Sequence, residues 1–267
     1  MSLTNRQLRV LEVLRPFRTE SSYIGGGAAL NQKWPRVSDD LDIFSDNRKS
    51  LPDKIAPEIA KLKEAGFSVE LTTESEWMVE AILREYGCET KVQWLDEPET
   101  SKRFFPAVRD DELGFRLHQA DVAVNKVLCA ARRNSAARDA VDLVNIVRNY
   151  APVGPLIWAL PSKDVDLSPS QLVRNVRQNV FGYADEEIRS VRMESEHVTR
   201  DDVRAVLGPA LDRAAEYCET SAPDEFLGRL FVDKNETPVE ADEAALSAGD
   251  ATAIPIRDFG VAPKIIT

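Results

Sequence analysis

The sequence predicts an α/β fold, a mixed sheet with its helices, followed by a mostly helical C-terminal half. Three observations predict it. Helix-like and strand-like apolar spacings alternate through the N-terminal part of the chain. A glycine triplet, Gly25-Gly26-Gly27, separates a strand-like segment from a helix-like one. From Leu117 onward, helical spacing takes over.

Taken in order, Leu8, Leu11, Val13 and Leu14 make one side of a helix over Asn5 to Phe17. Ser22-Tyr23-Ile24, the glycines and Ala28-Ala29-Leu30-Asn31 read as strand, tight turn and helix. Leu41-Asp42-Ile43-Phe44 reads as a strand with an acid inside it. A helix over Pro52 to Ala65 stops at Gly66, a residue suited to a helix end. Phe67 to Leu71 alternates apolar and polar side chains, as a half-buried strand does. Met78 to Glu85 and Thr90 to Leu95 are two further strands with a turn at Gly87. Leu117 to Ala131 and Ala137 to Val147 are helices joined by Arg132-Arg133-Asn134-Ser135. Pro152, Pro155 and Pro161 mark a break, after which Ser168 caps a helix with Pro169 at its first position. Two more helices are expected near 184–193 and 199–218. The stretch DKNETPVEADEAALSAGDATA has no aromatic residue and reads as loosely structured. The expected organisation is an α/β core over 1–115, a helical domain over 116–220 and a loose extension over 221–267.

Composition narrows the function. A net charge of −11 disfavours a non-specific nucleic-acid binder, since phosphate binding draws on Lys and Arg. No apolar run approaches the roughly 18 residues a membrane helix needs. The N-terminal MSLTNRQLRVLEVLRPF lacks the apolar core of a secretory signal, so a cytoplasmic location is expected. Cys88, Cys129 and Cys218 are widely spaced and form no Cys-x-x-Cys, which predicts reduced, buried thiols. His118 and His197 have no nucleophile pattern around them, and there is no Gly-Lys-Ser or Gly-Lys-Thr phosphate loop. The four tryptophans are scattered and form no stacking platform.

Two clusters carry chemistry. Asp40 and Asp42, two apart on a strand, point to one face and together suit one divalent ion. Mg²⁺ takes few carboxylates and completes its shell with substrate phosphates and water. Gly26 and Gly27 let the backbone N–H groups approach a triphosphate with no Cβ in the way. The second cluster is Lys126 in one helix and Asp139 and Asp142, three apart on the face of the next. A lysine there can neutralise phosphate charge. The same charges also suit two solvated helices laced by salt bridges.

Gly26-Gly27-Ala28-Ala29-Leu30 followed by Arg36-x-Ser38-x-Asp40-x-Asp42 resembles the nucleotidyltransferase signature of the DNA polymerase β-like superfamily. More narrowly it is similar to the AbiEii/AbiGii toxin family, whose Gly-Gly-Thr-Ala-Leu run precedes Arg-x-Ser-x-Asp-x-Asp. Ala28 stands where that family has a hydroxyl residue. A second match lies about 80 residues on: Lys126 in a helix, a basic linker, then Arg138-Asp139-x-x-Asp142-Leu143. The resemblance covers roughly residues 20 to 150. It implies a polymerase β-like nucleotidyltransferase core and transfer of a nucleotidyl group from a nucleoside triphosphate, with Mg²⁺ at Asp40 and Asp42. It implies nucleotide contacts at Gly26, Gly27, Ser38, Lys126, Arg138 and Asp139, with Asp142 completing the pocket or assisting deprotonation of the acceptor. It further implies the toxin of a toxin–antitoxin or phage-defence system, with tRNA as an acceptor and an antitoxin protein as partner. Two alternatives stay open: an aminoglycoside-type small-molecule acceptor, which the acidic charge suits, and a catalytically silent nucleotide-binding protein. Polymerase β-like enzymes commonly carry a third carboxylate on a later strand. Here Lys91-Val92-Gln93-Trp94-Leu95 has Gln93 at that place, with Glu89 and Asp96 nearby.

Overall fold

The computed structural model describes residues 3–46, 50–96, 101–132, 135–164 and 166–259. Arg133 and Asn134 of the expected linker, and the end of the expected extension from residue 260, lie outside them. The chain forms two compact units: Met1–Gln119 with the residues from Arg257 onward, and Ala120–Ile256. The C-terminal stretch from 221 is shared between the two units.

In the first unit, helix α1 (Asn5–Leu14) begins at a reciprocal cap. Thr4 Oγ1 accepts from the Gln7 amide at 3.2 Å, and Gln7 Oε1 accepts from the Thr4 amide at 2.8 Å. Strand β1 (Ser22–Ile24) leads into the short helix α2 (Gly26–Leu30), and strand β2 (Asp40–Ser45) follows. Helix α3 (Leu51–Glu64) ends before Gly66, whose φ of +97° is cheap only for glycine. Strands β3 (Ser68–Glu74), β4 (Met78–Glu85) and β5 (Cys88–Leu95) come next, then β6 (Lys102–Arg103), β7 (Val108–Asp110) and β8 (Gly114–Arg116).

Seven of these strands form one mixed sheet in the order β3-β4-β5-β2-β1-β8-β7. β2 pairs parallel with β5, β1 pairs parallel with β8, and the other neighbours are antiparallel. β2 is therefore the central strand. Its Leu41 and Ile43 are buried, and so are Val92 and Trp94 beside them on β5. β4 and β5 are joined by Tyr86 and Gly87, both at positive φ, which is the two-residue turn that matches strand twist. β3 differs from its expected half-burial. It is the edge strand and most of its side chains, Leu71 included, are exposed. Beneath the sheet Arg18 pairs with Glu58, which also accepts from Trp94 Nε1 at 2.9 Å. Both charges are buried, and desolvation lowers the Arg18 pKa against the pull of Glu58.

The second unit holds α4 (Gln119–Ala131, whose first residue belongs to the first unit), α5 (Ala137–Asn149) and α6 (Val153–Ala159). It continues with α7 (Pro169–Val180), α8 (Asp185–Arg189) and α9 (Arg200–Thr220). The proline-rich break contains a buried helix, α6. Pro152 precedes it and Pro155 sits in its first turn, where backbone N–H groups have no helical partner to lose.

The segment expected to be loose is ordered. Strands β9 (Leu230–Val232) and β10 (Thr252–Ile254) pair antiparallel, with helix α10 (Glu243–Ala248) between them. Phe231 is fully buried with Trp158, Tyr217, Ala241 and Ala251. Tyr217 Oη donates to the Ala241 carbonyl at 2.9 Å and accepts from its amide at 3.1 Å. The stretch is poor in apolar residues, but those it has converge on one cluster. The cysteines also depart from expectation: Cys129 is exposed, and Cys88 and Cys218 are half-buried.

The chain then re-enters the first unit. Strand β11 (Arg257–Asp258) pairs with β6, bringing Phe259 over Arg103 with its ring 4.1 Å away, while the Tyr23 ring lies at 4.6 Å. Arg103, buried, makes a two-pronged pair with Asp46 at 2.7 and 2.8 Å.

Candidate functional site

The strand period of two sends Leu41 and Ile43 to one side of β2 and Asp40 and Asp42 to the other. Asp40 is 8% exposed. The Gly25 amide donates to the Asp42 carbonyl at 2.9 Å, which fastens the glycine turn to the strand. Two glycines are demanded by what surrounds them. Gly26 has φ +57°, and a Cβ there would stand 1.8 Å from Asp42 Oδ2. A Cβ on Gly27 would stand 2.0 Å from Arg36 Nη2 and 2.8 Å from Ser38 Oγ. Backbone, arginine, serine and acid therefore crowd one spot that only glycine leaves open.

Arg36 and Ser38 are both buried. Ser38 Oγ donates to the Asp40 carbonyl at 2.9 Å, and Gln7 Nε2 donates to the Ser38 carbonyl at 2.9 Å. Arg36 Nη1 donates to the Val37 carbonyl at 3.3 Å. The capped N-terminal helix thus holds the loop that delivers the acids. The Ser38 hydroxyl bonds backbone here, although a phosphate contact is what the sequence implies.

Sheet register adds residues the sequence did not single out. Asp40 lies opposite Lys91 and Asp42 opposite Gln93 on β5, and Gln93 lies opposite Glu80 on β4. Lys91 Nζ stands 3.3 Å from Asp40 Oδ2 and 3.6 Å from Glu80 Oε2. Gln93 Nε2 donates to Glu80 Oε2 at 2.6 Å, and Thr72 Oγ1 donates to Glu80 Oε1 at 2.8 Å. The Thr72 bond, opposed by desolvation and joined by Gln93 and Lys91, holds the Glu80 carboxyl below the usual carboxylate range. Gln93 is indeed beside Asp42. The acid nearest in register is Glu80, one strand farther out. Glu89 instead pairs with Arg84 and Asp96 with Lys54. Glu80 lies within the strand expected over Met78 to Glu85, but only the strand pairing shows which residues it meets.

Among the described residues, no group of three or more His, Cys, Asp or Glu is placed to hold a metal ion. The two acids of β2, with the Asp42 carboxylate packed against Gly26, fit a magnesium ion that draws its remaining oxygens from phosphate and water.

In the second unit, α4 is buried nearly all round, with ten of its thirteen residues buried, Val122, Val127, Leu128 and Ala131 among them. Lys126 reaches from that helix to α5, with Nζ 2.8 Å from Asp142 Oδ2 and 3.5 Å from Asp139 Oδ1. Asp142 is fully buried, and Lys126 and Asp139 nearly so. Asp139 Oδ2 also accepts from the Ala136 amide at 2.9 Å, capping α5. Three of the four expected residues therefore form one buried ionic cluster. Arg138 is exposed and outside it.

No family model matches the chain, and no curated protein sequence does. A solved structure from H. pylori, described as a "putative nucleotidyltransferase", is similar with a TM-score of 0.52 at 15% identity. The likeness covers 80% of this chain and 94% of that one. At this identity it is a likeness of fold: the mixed sheet and helical C-terminal half share the architecture of that structure.

Proposed function

We propose that this protein transfers a nucleotidyl group from a nucleoside triphosphate to an acceptor hydroxyl. The observation that carries the reading is the approach of Asp42 to Gly26, which sets the acid pair directly against the glycine turn. Asp40 and Asp42 would hold Mg²⁺, which supplies Lewis acidity at the phosphate oxygens. The glycine turn lets Asp42 and buried Arg36 approach its backbone closely, beside where the phosphates would bind. The acceptor oxygen forms a bond to the α-phosphorus, while the bond from that phosphorus to the bridging oxygen breaks. Pyrophosphate leaves with the electron pair, and the acceptor proton passes to water. Positioning and charge neutralisation would supply most of the acceleration.

Lys126, Arg138, Asp139 and Asp142 are assigned to this reaction by the resemblance of their motif. The resemblance also supports tRNA as acceptor and a toxin role with an antitoxin partner. The net charge of −11 favours a second acceptor class, a cationic small molecule of aminoglycoside type. The test is transfer of α-³²P label from each of the four nucleoside triphosphates, with Mg²⁺, to bulk tRNA, an aminoglycoside and the protein itself. Label should move to one acceptor and be lost in Asp40→Ala and Asp42→Ala at unchanged thermal stability. Absence of transfer to any acceptor, with no retention of nucleotide, would leave the fold without this activity.

A further inference from the structure

Each of two ions at a phosphoryl-transfer centre needs anionic protein ligands, and such ions usually lie about 3.5–4 Å apart. β2 offers two acids, Asp40 and Asp42, on the face opposite Leu41 and Ile43. The neighbouring row on β5 offers Lys91 and Gln93, a cation and a neutral amide. Lys91 is fixed from both sides, 3.3 Å from Asp40 and 3.6 Å from Glu80. Glu80 is itself tethered by Gln93 and Thr72, so the ammonium has a built socket across three strands. Its side chain is 35% exposed, against 12% for Asp40, so it is held in place yet reachable from solvent.

We propose that Lys91 is a built-in cation standing in for a second divalent ion, so that the Asp40–Asp42 site works with one metal. This inference rests on the nucleotidyl-transfer reading and deepens it. The ammonium offsets the charge of Asp40 and repels a second dication from the same carboxylate. It also places positive charge beside Asp40, where it can stabilise the oxygen of an attacking hydroxyl as it loses its proton. Bond making and breaking are those of the proposed transfer, with the proton going to water as before. An ordinary exposed ion pair would do none of this, and its loss would leave metal binding unaltered.

The experiment counts Mn²⁺ bound per full-length chain by electron paramagnetic resonance. The α,β-methylene analogues of the four nucleoside triphosphates serve as non-reacting ligands. Wild type should retain one ion per chain with its nucleotide, and Lys91→Asp should retain two. Lys91→Met keeps the aliphatic stem and should still retain one ion, bound roughly tenfold more tightly once the neighbouring positive charge is gone. Two ions in wild type, or an unchanged affinity in a folded Lys91→Met, overturns the assignment of Lys91 while leaving nucleotidyl transfer standing. Failure of wild type and both variants, all folded by circular dichroism, to retain Mn²⁺ or nucleotide overturns the nucleotidyl-transfer reading and this inference with it.

Discussion

Gly26 shows how narrow the tolerance of the first cluster is. Its φ of +57° costs an L-residue about 1–2 kcal/mol, and an added methyl would overlap Asp42 Oδ2. Gly26→Ala should therefore push the acid off its place and lower transfer at least tenfold, measured as initial rate beside a melting curve. Lys126 is a different case. Replacing it with alanine leaves Asp139 and Asp142 buried without their lysine, which should cost about 3–5 kcal/mol by urea unfolding. Nucleotide affinity of Lys126→Ala is thus best compared at two salt concentrations on protein shown to be folded. The thiols give a third outcome. Burial, with Glu240 nearby, pushes the Cys218 thiol up to about 12, while Cys129 is exposed. Iodoacetamide near pH 8 should label Cys129 first and Cys218 slowest, read by mass spectrometry.

Elements with strong local signals were legible from residues alone. The cap of Ser168 with Pro169 and the Gly66 stop are local chemistry, and both stand in the structure. The acid pair on β2 was legible because strand alternation needs no partner. The Lys91–Glu80 socket was not, because it exists only through the pairing of three strands, which no local pattern encodes. The same limit explains β9 and β10: their partners lie about 20 residues apart, and Phe231, which anchors them, precedes the aromatic-free stretch. Phe231→Ala should cost about 3–5 kcal/mol in unfolding free energy, where a loose tail would lose nothing. Asp110 on β7 ties its turn together, accepting from Leu113, Glu112, Gln32 and Arg116. Burial works against the charge, but these donors prevail and lower its pKa below 3.8. Its stabilisation is then complete above pH 3.8 and lost as pH falls through the lower folded value. Asp110→Asn should flatten the acid limb of a stability–pH curve.

At the scale of the whole molecule, the first unit is discontinuous in sequence. Its β6 strand waits for β11, and Arg103 waits for the ring of Phe259, partners that lie about 150 residues later in the chain. During synthesis those partners follow roughly 8–30 s behind at ordinary elongation rates. Nascent chains halted after Ile256 should then show a first unit more open to protease than chains carried past Phe259, with cleavage sites in 101–119 exposed. Equal protection at both lengths would mean the late strand adds nothing. If the difference is found, the protein carries its own timer: the acid-bearing unit reaches its final stability only once β11 has been made, so a chain stopped short of it is a weakened one.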